Sequence, residues 1–186
     1  MTQSPPWPLE RYRPLLHLYV RQLQLHPRFW CRFTASDLVQ ETLFRAHVRR
    51  EQFQGHTEGE LLAWLRTTLQ RVAIDEVRKA RAGKCDLDLE CSLQAELAAS
   101  SARLERFLAD SGPSPASDAE NRELLLLVAK AINELPDDQR DAVILRDLHG
   151  AKVDQIADRL GKSKRAVAGL LLRGRRRLRE LLPDLQ

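Results

Sequence analysis

The sequence predicts an all-α protein made of two small helical domains joined by a flexible acidic linker. Three observations carry that prediction. Apolar residues recur at three- and four-residue steps along most of the chain, and two-residue alternation is hard to find. Near the middle, an acidic stretch closing on Ser111-Gly112-Pro113-Ser114-Pro115 interrupts the pattern. Finally, a chain of 186 residues with 30% charged and only 5% aromatic side chains suits two compact cores better than one large aromatic one.

The elements follow in order. Leu15, Leu16, Leu18, Tyr19, Leu23 and Leu25 give a first apolar helix face, which Pro27 breaks. Phe29, Trp30 and Phe33 occupy a connection. Ser36 is the expected N-cap of a second helix, with Asp37 in its first turn, an apolar set at Leu38, Val39, Leu43 and Phe44, and an end near Arg50. Gly55 and Gly59 bracket a loop in which Thr57 caps the next helix. That helix is long, with Leu61, Leu62, Leu65, Leu69, Val72, Ile74 and Val77 on its inner side, and it leads into Arg78, Lys79, Arg81 and Lys84. The acidic stretch has room for one short helix through Leu93, Leu97, Leu104, Phe107 and Leu108. A second module starts near Asp118. Its first helix stops at Pro136, the next begins there and closes at Gly150, a third carries Val153, Ile156, Ala157 and Leu160, and a last one runs from Lys164 to Leu182.

Composition narrows the function. No stretch approaches the roughly 18 apolar residues of a membrane span, and the N-terminal Pro5, Pro6, Pro8 and Glu10 do not make a secretory leader, so a cytoplasmic location is expected. Cys31, Cys85 and Cys91 are an odd count without CxxC spacing, and no His lies between or just beyond Cys85 and Cys91, so reduced thiols are expected, with no metal site and no cofactor. His17, His26, His47, His56 and His149 are scattered, and no HExxH or P-loop pattern is present, so no catalytic residue is assigned.

The most informative segment is 153–182. Two helices meet across a short turn at Gly161, Ser163 caps the second, and Ile156, Ala157, Leu160, Val167 and Leu171 supply a shared core. This is the pattern of a helix-turn-helix, whose second helix enters the DNA major groove. Its inner stripe is Val167, Leu170, Leu171, Gly174, Leu178 and Leu181, and its other faces hold Lys164, Arg165, Arg173, Arg175, Arg176, Arg177 and Arg179. A solvated helix also carries cations, but no acid stands between Lys162 and Arg179, so alternating ion pairs do not explain the run. The balance favours a polyanion, whose counterions such a surface releases.

Taken together, the motifs resemble the extracytoplasmic-function group of the sigma-70 family of RNA polymerase sigma factors. Ser36-Asp37-Leu38-Val39-Gln40-Glu41-Thr42-Leu43, with Arg45-Ala46, is similar to the region 2 segment that docks on polymerase. Trp64-Leu65 through Ile74-Asp75-Glu76-Val77-Arg78-Lys79 is similar to the helix that opens and reads the −10 element. Leu135-Pro136-Asp137-Asp138-Gln139-Arg140, continuing to Arg175-Arg176-Arg177-Leu178, is similar to region 4, which reads the −35 element.

The resemblance implies region 2 at 9–84, a linker at 85–118 and region 4 at 119–186. It implies that Asp37, Leu38, Gln40, Glu41, Leu43 and Arg45 bind polymerase, and that Arg66, Arg71, Arg78, Lys79 and Arg81 hold the −10 strand. Ser163, Lys164, Arg165, Ala168, Arg173, Arg175 and Arg176 then meet −35 DNA. The implied partners are core RNA polymerase, through the clamp coiled coil of its largest subunit and the flap of the second-largest, and promoter DNA; the family also admits an anti-sigma factor. Many relatives have Asn where Arg71 stands, a position close to the family's pocket for an unstacked −10 base; they also often have Lys and Arg where Ala168 and Leu170 stand, so the −35 sequence does not carry over. An autonomous helix-turn-helix regulator is the alternative, and it leaves the first module without a role. Trp64, on an apolar face, is expected to be structural.

Overall fold

The computed structural model describes residues 8–23, 33–80, 87–111 and 117–183, and among them there is no strand. The chain divides into two units, Met1–Ala99 and Ser100–Gln186.

In the first unit a 3-10 turn, Leu9–Tyr12, runs into α1 (Arg13–Gln22). There follow α2 (Ala35–Val48), a second 3-10 turn at Arg50–Gln52, and the 23-residue α3 (Glu58–Ala80). Helix α2 packs on both α1 and α3. Leu15, Leu16 and Leu18 of α1, Leu38, Val39 and Ala46 of α2, and Leu61, Leu65, Leu69 and Val72 of α3 are all but fully buried. Each such leucine contributes roughly 1.5–3 kcal/mol of transfer free energy. Leu62 and Ile74, expected on the inner side of α3, are only half-buried. Leu25, Pro27, Phe29 and Trp30 lie outside the described residues.

Two helix starts differ from expectation. Thr34, not Ser36, caps α2: its hydroxyl oxygen accepts from the Asp37 amide at 3.2 Å, and the Asp37 carboxylate accepts from the Thr34 amide at 2.8 Å. The reciprocal box needs an acid three residues after the cap, which Thr34 has in Asp37 and Ser36 lacks in Val39. Thr57 caps α3 through the same box with Glu60, as expected, but the helix begins at Glu58, so Gly59 lies inside it rather than in the loop.

The division between units falls within α4 (Leu87–Ser111), a 25-residue helix where the sequence allowed a short one. Leu93, Leu97, Leu104 and Leu108, with Ser100 and Ser101, make one continuous buried stripe along it. Glutamates are good helix formers, so an acidic composition does not oppose the longer helix. Residues 112–116, which hold most of the Ser/Gly/Pro cluster, lie outside the described residues.

The second unit continues with α5 (Asp118–Asn133), capped by a Ser117–Glu120 box, then α6 (Asp137–Val143) and a π-helical turn at Ile144–Leu148. After it come α7 (Val153–Leu160) and α8 (Lys164–Leu181). Pro136 caps α6 from outside rather than beginning it. Helix α8 is the hub, packing on α5, α6 and α7. Leu127 is 47% exposed, although it sits within the apolar run of α5.

Arg140 is 5% exposed, and its Nη1 donates to the carbonyls of Asn133 at 3.0 Å and Leu135 at 3.1 Å; Nη2 pairs with Asp137. Carbonyls at a helix end have no intrahelical donor, and this guanidinium supplies one, tying the α5–α6 turn together.

Candidate nucleic-acid interface and docking surface

Local chemistry builds the helix-turn-helix. Gly161 ends α7 at φ 62°, the left-handed region where a Cβ is costly. The Lys162 amide reaches back to the Ala157 carbonyl at 3.0 Å and the Gly161 amide to Asp158 at 3.4 Å, which closes the helix end. Two residues later Ser163 caps α8, its oxygen accepting from the Ala166 amide at 3.2 Å. Ile156, Ala157, Val167 and Leu171 are buried between the pair, while Leu160 and Leu181 are only half-buried.

Gly174 decides how closely α8 approaches α6. A Cβ built there would lie 2.9 Å from Val143 Cγ2 and 3.5 Å from the Gln139 carbonyl oxygen. Only a residue without a side chain fits that crossing as it stands.

The predicted −35 residues share α8 and its cap, and all of them are exposed. Their charges are engaged to different degrees. Lys164 meets Asp154 at 2.9 Å with both side chains about two-thirds exposed, a pairing of little energetic weight. Arg176 and Arg177 flank Glu180 at 3.2 Å and 3.1 Å and hold its carboxyl below the usual range, Arg177 most strongly. Arg175 reaches out of its helix: Nε donates to Asp147 Oδ2 at 3.1 Å and Nη2 pairs with Oδ1 of the same carboxylate, which raises the guanidinium's pKa. Among the described residues Arg165 and Arg173 have no carboxylate partner. The basic run is thus partly committed within the unit.

Beside α8 lies an apolar groove of about 750 Å³, walled by Phe107, Val128, Val153, Leu171, Leu172 and Leu178. Arg146, Arg175 and Arg179 also line it. Sequence spacing does not disclose it, because its walls come from α4, α5, α7 and α8.

In the first unit, α2 sorts its predicted polymerase residues into two groups. Asp37 and Gln40 are exposed and Glu41 half-exposed, whereas Leu38 is fully buried and Leu43 is 5% exposed. The two leucines hold the helix in the core. Arg45 lies between: Nε donates to Glu41 at 2.6 Å and Nη1 to Asp75 of α3 at 2.6 Å, the latter raising its pKa most. Thr34 hydrogen bonds hold the Asp37 carboxyl below the usual carboxylate range, the backbone amide most strongly. Phe44, expected among the core residues, is 61% exposed, and Val48 is 64% exposed. With Gln40 and His47, Phe44 lines a shallow cleft that also takes in Leu9, Arg13 and Arg50. A purely helical count would have found this face, since residues 40, 44, 47 and 48 lie on one side.

On α3, Arg71, Arg78 and Lys79 are exposed and Arg66 is half-buried. Seven residues apart, Arg71 and Arg78 share a face, and Arg66 does not. Lys79 pairs with Glu76 at 2.6 Å, which raises its pKa. Arg81 lies outside the described residues. Trp64 is half-buried against Phe53, ring centroids 5.3 Å apart, consistent with a structural role. Among the described residues no cluster of His, Cys, Asp and Glu could hold a metal ion, and no helix is long and apolar enough to cross a membrane.

The chain matches the family models for Sigma-70 region 2 over residues 9–83 and Sigma-70, region 4, over residues 125–178. It is 33% identical to the ECF RNA polymerase sigma factor SigG of Mycobacterium tuberculosis over 182 residues, 91% of this chain and 46% of that protein. Against the ECF RNA polymerase sigma factor BldN of Streptomyces coelicolor it is 33% identical over 153 residues, 81% and 52% of the two chains. The probable RNA polymerase sigma factor RfaY of Xanthomonas campestris is 31% identical over 148 residues, 80% of this chain and 34% of that one. The chain therefore spans about a third to a half of the length of the curated relatives it matches. A solved structure of the sigma factor RpoE in complex with the anti-sigma factor NepR, from Bartonella quintana, covers 94% of each chain at 24% identity with a TM-score of 0.35.

Proposed function

Because this chain belongs to the extracytoplasmic-function group of the sigma-70 family, we propose that it binds core RNA polymerase and directs promoter recognition at the start of transcription. Members of this family are initiation factors rather than enzymes, and a cytoplasmic location follows from such a role. The observation that carries the proposal is the presence, in one chain, of a helix-turn-helix with a basic second helix and of a separate unit whose α2 offers an exposed mixed face beside the basic end of α3. A lone helix-turn-helix regulator would have no use for that second unit.

In this proposal residues 9–84 hold polymerase and the −10 strand, 85–118 connect, and 119–186 hold the −35 duplex. Asp37, Gln40 and Glu41, joined by Phe44, meet the clamp coiled coil of the largest subunit. Arg71, Arg78 and Lys79 lie along the −10 strand, where phosphate contacts offset the few kcal/mol that unstacking a base costs. The N-terminal end of α8, Ser163 to Ala168, faces base edges, with Arg173 and Arg176 nearer phosphates.

The test is reconstitution of the full chain with core polymerase on a randomised promoter library, followed by sequencing of the transcripts. Enrichment of two spaced elements is expected. Tight operator binding by the chain alone, with no effect on polymerase, would overturn the proposal.

A further inference from the structure

Helix α8 has two opposed faces. Val167, Leu170, Leu171, Gly174 and Leu178 face the core. Helical spacing places Arg165, Ala168, Gly169, Leu172, Arg173 and Arg176 along the opposite side over three turns. The middle of that outer strip carries no hydrogen-bonding side chain. Ala168 is exposed, Gly169 has none, and Leu172 is 68% exposed. Arginines stand at its ends and edge.

A single exposed leucine needs no explanation. This one stands on the same outer face as arginines that have no core to enter, one turn from an exposed alanine. Gly169 adds a second observation. A glycine inside a helix costs roughly 1 kcal/mol relative to alanine, and its Cβ position is open except for Arg173 Nη1 at 3.2 Å, the mobile end of a long side chain. Nothing in the fold requires a glycine there. What it provides is a shallow place on the outer face where another surface can come close.

A major groove distinguishes thymine by one apolar feature, its C5-methyl group, and every other base-edge signal is a donor or an acceptor. Ala168 and Leu172 can answer only the former. We infer that α8 reads its −35 element chiefly by apolar contact: Leu172 and Ala168 seat thymine methyl groups, Gly169 allows the close approach, and Arg165, Arg173 and Arg176 hold the flanking phosphates. The partner is duplex DNA, fixed by the charge around the strip, and the inference rests on the proposed role in initiation.

The experiment uses holoenzyme made from the full chain and core polymerase. The preferred −35 element is selected from a randomised library with the −10 element constant, and each thymine in it is then replaced singly by deoxyuridine, which lacks only the methyl group. Loss of affinity by roughly threefold to fivefold at one or two positions is expected, the scale of one buried methyl group. Leu172→Ala, at a site too exposed to unfold the domain, lowers affinity for the thymine promoter and removes the deoxyuridine penalty at one of those positions. A selected element without thymine, deoxyuridine tolerated throughout, or an unchanged penalty in Leu172→Ala would each overturn the inference and leave the role in initiation standing. A chain that does not bind core polymerase, or selects no promoter, overturns that role instead.

Discussion

Arg45 of α2 donates from Nη1 to Asp75 of α3 at 2.6 Å while its Nε holds Glu41, one turn back, at 2.6 Å. One guanidinium therefore joins the helix proposed to dock polymerase to the helix proposed to hold the −10 strand. Both ends are partly solvated, Arg45 at 23% and Asp75 at 39% side-chain exposure, so water screens the link. Arg45→Ala is expected to destabilise the first unit by about 1 kcal/mol. Arg45→Ala/Asp75→Ala should cost less than the two single changes together by about 0.5 kcal/mol, measured by urea unfolding. Strict additivity would show that the two side chains do not act as a pair.

The cap of α2 makes stability depend on pH. Hydrogen bonds from Thr34 lower the Asp37 pKa from its ordinary 3.8, the backbone amide contributing most. A folded-state pKa below the unfolded one stabilises the native state above the unfolded value and ceases to do so as pH falls through the folded value. Asp37→Asn should thus lower the urea midpoint near neutral pH, and the gap from the parent should narrow as pH falls below 3.8. A gap that stays constant down to strongly acidic pH would contradict the cap.

Packing at Gly174 opposes helix propensity. Alanine there would gain roughly 1 kcal/mol as a helix former, yet its Cβ meets Val143 Cγ2 at 2.9 Å, a distance real contacts do not show. Over-packing of this kind costs about 1–3 kcal/mol, so Gly174→Ala should be net destabilising and Gly174→Leu severely so. Val143→Ala in the Gly174→Ala background should recover stability, read as thermal midpoints of the two variants.

Arg173 and Arg175 separate charge from architecture. Arg173 has no carboxylate partner among the described residues, whereas Arg175 grips Asp147 from a half-exposed position. Arg173→Gln should flatten the salt dependence of promoter binding by about one unit of slope per lost phosphate contact and leave the urea midpoint unchanged. Arg175→Gln should also reduce the unfolding free energy, by about 0.5 kcal/mol after allowance for solvent screening, and so lower the urea midpoint. Equal effects of the two on stability would mean that the Asp147 pair contributes nothing.

Much of the site was legible because it obeys local rules. Gly161 ends α7 in the left-handed region and Ser163 caps α8 two residues later, both set by chain geometry over a few residues. Thr57 was legible for the same reason, and Thr34 was equally so once the acid three residues on is counted. Phe44 was not. Apolar character placed it with Leu38 and Leu43, but helical phase turns it outward, to 61% exposure.

By itself the sequence determined the helical class, the order of the elements, the turn between α7 and α8 and the density of positive charge on α8. Each depends on propensity, capping or periodicity, which act between near neighbours. Only the tertiary structure decided that Arg45 meets Asp75, that Arg140 closes the α5–α6 turn, that Arg175 is taken by Asp147, and that Phe107 joins Leu178 in one groove. Several of these bring together groups many residues apart, and which of a helix's charged side chains finds a partner depends on the angle and distance at which whole helices cross. Spacing along a chain carries no record of that.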